Sequence, residues 1–271
     1  MSEPCAIIAG AGSFPVHVAR EAARQGLDVV AIGLQGWADP GLAASVRSYE
    51  EVAVGELGRL IDRLKVHHTR QAIMAGKVSK ALLFDPRVQF DAEALAILGQ
   101  VRDFSVTGLL GAIAARLSKD GITLLDSSTF LKPLLCPVGP VTRQVPTGEQ
   151  EEDIRTGIRA ARQLAAMDIG QTVVVKRKVI VAVEALEGTD AAIQRAGGLA
   201  GPGCVVVKMA SPDQDMRFDL PVLGLQTIAT ATAAGVACLA VEAGKALLLD
   251  KDALIAKANE AGLCLIGVEP T

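Results

Sequence analysis

The sequence predicts an α/β protein of two domains: a Rossmann-like N-terminal domain with a parallel sheet, and a mixed α/β C-terminal domain. In the first half, short apolar runs alternate with segments of helical spacing, which is typical of a doubly wound parallel sheet. Residues 137–150 hold three Pro and two Gly without an apolar period, which indicates a linker. We therefore expect an N-terminal domain over 1–136 and a C-terminal α/β domain over 151–271.

The elements of the first domain are predicted from the spacing of apolar residues and from the positions of Gly and Pro. The run Cys5–Ala9 predicts a strand, a glycine turn follows it, and Val16–Gln25 has helical spacing and stops before Gly26. The further predicted elements are strand Asp28–Gly33, a weak strand Glu51–Val54, helix Leu57–Val66, strand Gln71–Ala75, helices near Ala92–Arg102 and Gly108–Ser118, and strand Ile122–Leu125.

The second domain opens with an amphipathic pattern over Glu151–Met167, which predicts a helix. Two valine-rich runs, Val173–Val175 and Val179–Val183, flank a basic turn and predict an antiparallel hairpin. The remaining predicted elements are helix Thr189–Ala196, strand Val205–Lys208, helix Thr227–Ala234, strands Ala237–Val241 and Ala246–Leu249, helix Lys251–Glu260, and strand Leu263–Val268.

Composition excludes some classes of protein. The net charge of −3 gives no electrostatic footprint for nucleic acid, so we expect no nucleic-acid partner. Half of the residues are hydrophobic while only 3% are aromatic, and the excess is Ala, Val, Leu and Ile. Two explanations stay open at this point: a well-buried parallel sheet, or an aliphatic cavity for a ligand with long acyl chains.

The chain carries no signal for secretion or for crossing a membrane. Its most apolar stretch, Ile228–Val241, is shorter than the roughly 20 residues that a span needs. The five cysteines are odd in number and widely spaced, which favours reduced thiols over a disulfide framework or a zinc site. We therefore expect a cytoplasmic protein.

An acidic stretch runs from Asp168 to Gly224. Seven carboxylates alternate there with six basic residues and with apolar runs, beside turn-formers rather than on a polar helix face. Oxygen ligands of this kind suit Mg²⁺, which bridges to substrate phosphates. Asp213, Asp215 and Asp219 fall within seven residues, and unit charges about 4 Å apart repel by about 4 kcal/mol at a dielectric of 20. Solvated surface carboxylates are the alternative reading.

Two further motifs point to phosphate. Gly10 and Gly12 follow the first strand as in a dinucleotide-binding turn, where backbone and helix N-terminus approach phosphate. The acidic residue that would bind a ribose is missing, since the second strand ends at Gly33, which disfavours classical NAD binding. A phosphate contact and a plain tight turn both stay open. Lys77, at the carboxyl end of a strand, lies where ligands bind in open α/β sheets.

These motifs together resemble one family, the UDP-2,3-diacylglucosamine diphosphatases of the LpxI type, which act in lipid A biosynthesis. The resemblance spans essentially the whole chain, and the E-G-T-D and Q-D-x-R-F-D-x-P strings are its most specific part. The matching residues are the glycine turn with Pro15, Gly76-Lys77-Val78, Asp168–Gln171, Glu184–Asp190, Arg195, Lys208, Pro212, Gln214, Asp215, Arg217, Phe218, Asp219, Pro221 and Gly224.

The resemblance implies a hydrolase of Gram-negative bacteria, with Mg²⁺ as cofactor and a site at the interdomain cleft. Its substrate would be the lipid UDP-2,3-diacylglucosamine, split into UMP and 2,3-diacylglucosamine 1-phosphate (lipid X). It also implies a cytoplasmic enzyme, either soluble or peripheral on the inner-membrane surface. Whether the chain is a monomer or a homo-oligomer stays open.

The resemblance and the acidic stretch together give the candidate site residues. The proposed metal ligands are Asp219, Asp215 and Glu187. The proposed catalytic acids are Asp219, foremost, with Asp215 or Asp190 taking the proton of the attacking water. The proposed substrate-binding residues are Gly10, Gly12, Lys77, Gln171, Thr189, Arg195, Lys208, Gln214 and Arg217. For Arg195 and Lys208, a surface salt bridge is the alternative reading.

Two rival functions come from other classes of protein. A nucleotide-dependent oxidoreductase would explain the Rossmann-like domain, although the missing ribose acid speaks against it. A non-catalytic lipid carrier would need the aliphatic cavity without the acids. Release of UMP from a UDP-lipid, with and without a chelator, separates all three.

Overall fold

The computed structural model describes residues 3–78, 82, 85–101, 106–211, 215–218 and 220–269, with the backbone alone at 106 and 107. The chain forms two compact units. The first unit comprises Met1–Lys132 and the short segment Asp215–Phe218, and the second comprises Pro133–Gln214 and Asp219–Thr271. The expected linker, residues 137–150, lies within the second unit.

The first unit is built on a five-stranded sheet in the order β3-β2-β1-β4-β5, with every pair parallel. This order confirms the predicted Rossmann-like domain. Its strands are β1 (Cys5–Ala9), β2 (Val29–Leu34), β3 (Ser48–Val52), β4 (Gln71–Ala75) and β5 (Thr123–Leu124).

In the described residues of this unit, the α-helices are α1 (Phe14–Arg24), α2 (Leu57–Val66), α3 (Ala92–Gln100) and α4 (Val106–Lys119). One carboxylate stabilises the start of two of them. Asp91 is the N-cap of α3, accepting the Ala94 N–H at 2.8 Å, and its other oxygen accepts the Gly58 N–H in the first turn of α2 at 2.7 Å.

The second unit contains a mixed six-stranded sheet in the order β6-β13-β11-β9-β7-β8, in which β9, β11 and β13 are parallel. The strands β6, β7 and β8 pair antiparallel with their neighbours. The strands are β6 (Gly139–Pro140), β7 (Thr172–Lys176), β8 (Val179–Val183), β9 (Val205–Lys208), β11 (Cys238–Glu242) and β13 (Cys264–Val268), while β10 (Val222–Leu223) and β12 (Leu247–Leu248) form a separate parallel pair.

The helices of this unit are α5 (Gly148–Ala166), α6 (Thr189–Ala200), α7 (Leu225–Ala233) and α8 (Lys251–Glu260). Helix α5 begins three residues before the sequence prediction because Thr147 and Gln150 form a reciprocal capping box. The predicted hairpin is confirmed: Arg177 and Lys178, with φ of 51° and 64°, form its two-residue turn.

Both faces of the six-stranded sheet are buried. Val174 and Val206 contribute to one core cluster, and Val173 and Val205 contribute to a second cluster, which also contains residues of α5. Alternate side chains of one strand therefore enter different cores, so the strand reads as a continuous apolar run. These strands support the buried-sheet explanation of the apolar excess and leave the cavity explanation untested.

In the described part of the chain, we find no helix whose length and hydropathy would let it traverse a lipid bilayer.

Candidate functional site

Polar side chains of the second unit gather at the carboxyl edge of its parallel strands. Lys208 ends β9, and Glu242 ends the neighbouring strand β11, one residue beyond the partner of Lys208 in the register. Thr172 begins the antiparallel strand β7 directly opposite Lys208. This is the edge at which ligands bind in open α/β sheets.

Lys208 is the centre of a buried polar cluster. Its Nζ donates to Thr189 Oγ1 at 2.9 Å, lies 3.4 Å from Thr172 Oγ1 and is 3.7 Å from Glu184 Oε2. The Thr189 hydroxyl in turn donates to Glu184 Oε1 at 2.9 Å. The side chains of Lys208 and Glu184 are only 10% and 12% exposed, so the ion pair is shielded from water and from salt.

Glu184 is held in its charged form by this cluster. Burial would raise the pKa of its carboxyl, but the Lys208 charge, hydrogen bonds from Thr172 and Thr189, and the backbone N–H of Gln171 together lower that pKa. Because the carboxylate stays ionised, Lys208 keeps a counterion next to it. Gln171, a predicted substrate-binding residue, therefore acts here through its backbone.

Among the residues that the structure describes, two buried side-chain oxygens lack a hydrogen-bond donor: Glu184 Oε2 and Asp190 Oδ1. Asp190 follows Thr189 in the first turn of α6, whose N-cap, Gly188, offers no side-chain hydrogen bond. Buried polar atoms are paired in the great majority of proteins, so each unpaired one calls for an explanation. An acceptor without a donor is ready for a water or a ligand that brings one.

Arg195 and Glu187 form a second ion pair in this unit. The Arg195 guanidinium donates to Glu187 Oε1 at 2.6 Å and to the Val183 carbonyl at 2.9 Å. Glu187 also receives its own N–H and that of Ala185, and these bonds with Arg195 hold the pKa of its carboxyl below the usual value. The proposed phosphate-binding arginine and the proposed metal ligand are thus bound to each other.

In the first unit, the two glycine motifs contact one another. Gly10 donates to the Ala75 carbonyl at 2.8 Å, and Ala11 and Lys77 exchange two backbone hydrogen bonds of 2.9 Å. A Cβ on Gly76 would lie 2.6 Å from the carbonyl carbon of Gly10. Close approach of two backbones therefore accounts for Gly10 and Gly76.

Gly12 and Lys77 are placed differently. Gly12 has φ of +91° with no atom near the position of an added Cβ, so its turn conformation, rather than crowding, favours glycine. Lys77 is exposed just beyond the end of β4, as the sequence predicts. Its contact with a phosphate stays a prediction.

The segment Asp215–Phe218 belongs to the first unit. Arg217 binds both oxygens of Asp215, with Nε at 2.9 Å from Oδ1 and Nη2 at 2.6 Å from Oδ2, and its guanidinium carbon lies 4.8 Å from the centre of the Phe218 ring. Arg217 lowers the pKa of the Asp215 carboxyl. Ser127 anchors the segment: its N–H donates to the Met216 carbonyl, and its hydroxyl lies 2.9 Å from the Arg217 carbonyl.

The described residues do not by themselves make a metal site. Within the described ranges, no three His, Cys, Asp or Glu side chains come together as a metal ion would require. Asp215 and Glu187, two of the three proposed ligands, are each bound to an arginine. Asp219, the third, and Gln214, a proposed substrate-binding residue, lie outside the described residues.

Three buried polar residues were not among the predicted site residues: Thr172 and Glu242 in the second unit and Ser127 in the first. Each is at most 3% exposed and lies at a strand end or within three residues of one. A polar residue directly at the end of an apolar run was the available signal, and Glu242 ends the run over 237–241 in that way. The signal does not say which of many such residues is buried.

The chain was compared with known proteins. Residues 4–134 match the LpxI N-terminal domain, and residues 137–266 match the LpxI C-terminal domain. The chain is 32% identical over 276 residues to the UDP-2,3-diacylglucosamine pyrophosphatase LpxI of Caulobacter vibrioides, and the match covers 97% of both sequences.

Among solved structures, the biotin carboxylase domain of a thermophilic 2-oxoglutarate carboxylase bound to ADP is 14% identical with a TM-score of 0.26, covering 63% of this chain and 34% of that one. The biotin carboxylase subunit of pyruvate carboxylase is 13% identical with a TM-score of 0.28, covering 73% and 42%. Similarity this low supports no conclusion about this chain. The two domain matches and the near full-length relative show that the chain belongs to the LpxI family.

Proposed function

We propose that this protein hydrolyses the pyrophosphate bond of UDP-2,3-diacylglucosamine, giving UMP and 2,3-diacylglucosamine 1-phosphate in lipid A biosynthesis. The observation that carries the proposal is the match over 97% of the chain to a relative named for this substrate and this bond. The buried cation at the carboxyl edge of the second sheet gives the proposal a structural counterpart.

Lys208 is the residue that we propose binds a phosphate oxygen of the substrate. Its ammonium is buried, fixed by Thr189 and kept beside the ionised Glu184. A cation preorganised in a site shielded from water stabilises negative charge developing on a phosphate far better than a mobile surface lysine would. The hydroxyl of Thr189, which contacts the same ammonium, is proposed as its partner in binding.

Asp190 is proposed to accept the proton of the attacking water. The contacts of Asp215, the other candidate, support this choice. Both oxygens of Asp215 accept hydrogen bonds from Arg217, which keep its pKa low, so it is a poor base. Asp190 Oδ1 is buried without a hydrogen-bond donor. In this step the water oxygen bonds to phosphorus, the bridging P–O bond breaks, and the proton passes to Asp190.

Mg²⁺ dependence is also proposed, on the family resemblance. When bound, the ion would supply charge neutralisation of the diphosphate. Because the described residues do not form a metal site on their own, we derive no step through the ion. Asp219 is the residue on which this part of the proposal depends.

The test is release of UMP from UDP-2,3-diacylglucosamine by the purified protein, with and without excess EDTA. We expect turnover that chelation stops and Mg²⁺ restores. Asp219→Ala should lower turnover about 10²-fold or more and leave the thermal midpoint unchanged. Asp62→Ala, at an exposed position on α2, should change neither turnover nor the thermal midpoint.

Other outcomes favour other functions. Full turnover in EDTA would contradict the proposed Mg²⁺ dependence but not the proposed hydrolase activity. Binding of the lipid without turnover would favour a carrier. Reduction of a nicotinamide cofactor would favour an oxidoreductase.

A further inference from the structure

Glu242 is a buried carboxylate to which the proposed reaction gives no role. It ends β11 at the carboxyl edge of the second sheet and is 3% exposed. Its Oε2 accepts the backbone N–H of Ala210 at 2.9 Å, and its Oε1 is 3.1 Å from Lys245 Nζ. Both oxygens thus have partners within the protein, so we assign Glu242 no contact with the substrate.

The backbone that Glu242 holds follows closely on Lys208. Ala210 lies two residues beyond Lys208, where the chain leaves β9. The preceding amide, that of Met209, donates to the Gln171 carbonyl at 2.9 Å. Two successive amides are therefore fixed from opposite sides of β9, one by the start of β7 and the other by the end of β11.

Burying a charged side chain to accept one amide hydrogen bond is unfavourable in free energy. Burying a carboxylate is unfavourable unless it is paired and hydrogen-bonded, and Glu242 needs the half-exposed Lys245 to complete its pairing. What Glu242 offers is reach: it extends from the next strand to a backbone amide beyond Lys208.

We propose that Glu242 is a positioning residue, which fixes the backbone at Ala210 and through it Lys208, two residues earlier at the end of β9. This inference rests on the proposed function, because Lys208 is the residue proposed to bind a phosphate oxygen of the substrate. Misplacing reacting groups by about 1 Å costs on the order of 10²-fold in rate, so the loss should fall on kcat.

Three variants separate length from charge. Glu242→Gln keeps the reach and an acceptor for the Ala210 amide, so kcat should stay within about threefold of wild type. Glu242→Asp keeps the charge but is one methylene shorter, so kcat should fall at least about tenfold, and Glu242→Ala should lose more still. In each variant KM should change less than kcat.

A second buried carboxylate of the same unit is a matched control. Asp153 is 5% exposed and accepts the amides of Arg177 and Lys178 at the hairpin turn, at the opposite end of β7 from Thr172. Asp153→Ala should lower thermal stability and leave kcat within about twofold of wild type. If Glu242 had only a structural role, its variants would behave like Asp153→Ala: thermal stability would fall and kcat would not.

Hydrogen exchange gives a readout that does not depend on activity. Amides of 209–211 should exchange faster in Glu242→Asp and Glu242→Ala than in wild type or Glu242→Gln. The proposal is overturned if Asp is the better replacement, if Gln loses as much as Ala, or if exchange at 209–211 does not change. Absence of UMP release by the wild-type protein would instead refute the proposed function, and the exchange result would still decide the role of Glu242.

Discussion

At the scale of single residues, the Lys208–Glu184 pair is a charged pair buried within the second unit. Each charge was removed from water on folding, and each depends on the other and on two threonine hydroxyls for compensation. Removing one partner of such a pair leaves the other charge buried and unpaired, which typically costs more than the pair contributes when intact. The cluster is therefore sensitive to single substitutions.

We expect Glu184→Gln to destabilise the protein by about 3 kcal/mol at pH 7. Because the folded-state pKa of Glu184 lies below its unfolded value, its contribution is present above the unfolded pKa and is lost as pH falls through the folded pKa. The difference in unfolding free energy between wild type and variant should thus shrink below about pH 4. Urea unfolding at pH 7, 5 and 3.5 measures it.

Glu152→Gln is the matched control. Glu152 pairs with Lys178 on the surface, and that lysine lowers its pKa too, but both side chains are about half exposed or more. Exposed pairs contribute little, so this variant should unfold like the wild type throughout. A Glu184→Gln difference that does not vary with pH would show that the charge of Glu184 is not what stabilises the cluster.

Sequence reasoning located several residues of this cluster but not their contacts. Lys208, Thr189 and Asp190 were proposed site residues from motifs, and the structure brings Lys208 and Thr189 together. A salt bridge of Arg195 was an open alternative, but its partner Glu187, like the partner Asp215 of Arg217, was not predicted. The sequence shows opposite charges near one another without showing which of them converge. Pairing is decided by tertiary geometry, and the spacing of two and eight residues is compatible with many geometries.

At the scale of elements, the contact between the turns after β1 and β4 determines what substitutions the first unit tolerates. The two turns exchange backbone hydrogen bonds without intervening side chains. Gly76 combines a φ of +95° with a backbone neighbour that an added Cβ would overlap. Gly12 has nearly the same φ, +91°, and open space beside it.

This pair of glycines gives an internal comparison. Gly12→Ala should cost about 1 to 2 kcal/mol through backbone strain alone. Gly76→Ala should cost at least about 2 kcal/mol more, because the turns must also separate. Thermal and urea unfolding of the two variants measure the difference. Equal losses would mean that the turns give way at no cost and that their contact is not a rigid feature.

Element types were the best-predicted part of the fold. The strand Gln71–Ala75 and helix Leu57–Val66 have the predicted bounds, since the periodicity of the apolar residues and the residues flanking each element agree there. The third strand was predicted over 51–54 and is observed at Ser48–Val52, because pairing with β2 rather than its own weak apolar pattern determines its bounds. The shift in register between Val174 and Val175 opposite β8 also arises from pairing and has no signal in one strand's sequence.

At the scale of the whole molecule, the proposed substrate raises the question of how its acyl chains are handled. Removing a ten-carbon chain from water is worth roughly 8 kcal/mol at about 0.8 kcal/mol per methylene, so the chains stay in the bilayer unless the protein offers an apolar surface. We expect the protein to bind them. Binding energy from remote parts of a substrate can then orient its reacting centre.

UDP-N-acetylglucosamine tests this expectation, because it has the same pyrophosphate without long chains. In detergent solution, where no bilayer assists, its kcat/KM should be at least about a hundredfold lower than that of UDP-2,3-diacylglucosamine, with a loss in kcat as well as in affinity. UMP release measures both. Equal efficiency on the two substrates would show that the chains do not enter the protein.

The segment Asp215–Phe218 also bears on how this protein can be recombined. By sequence the chain divides near residue 136, yet these four residues lie in the first unit, where Phe218 packs against the N-terminal core and Ser127 binds the backbone. A chimera that exchanged only the N-terminal stretch would place a foreign surface beneath Phe218. Exchange of the first unit therefore requires two inserts, one long and one of four residues, and a single crossover yields a mismatched hybrid.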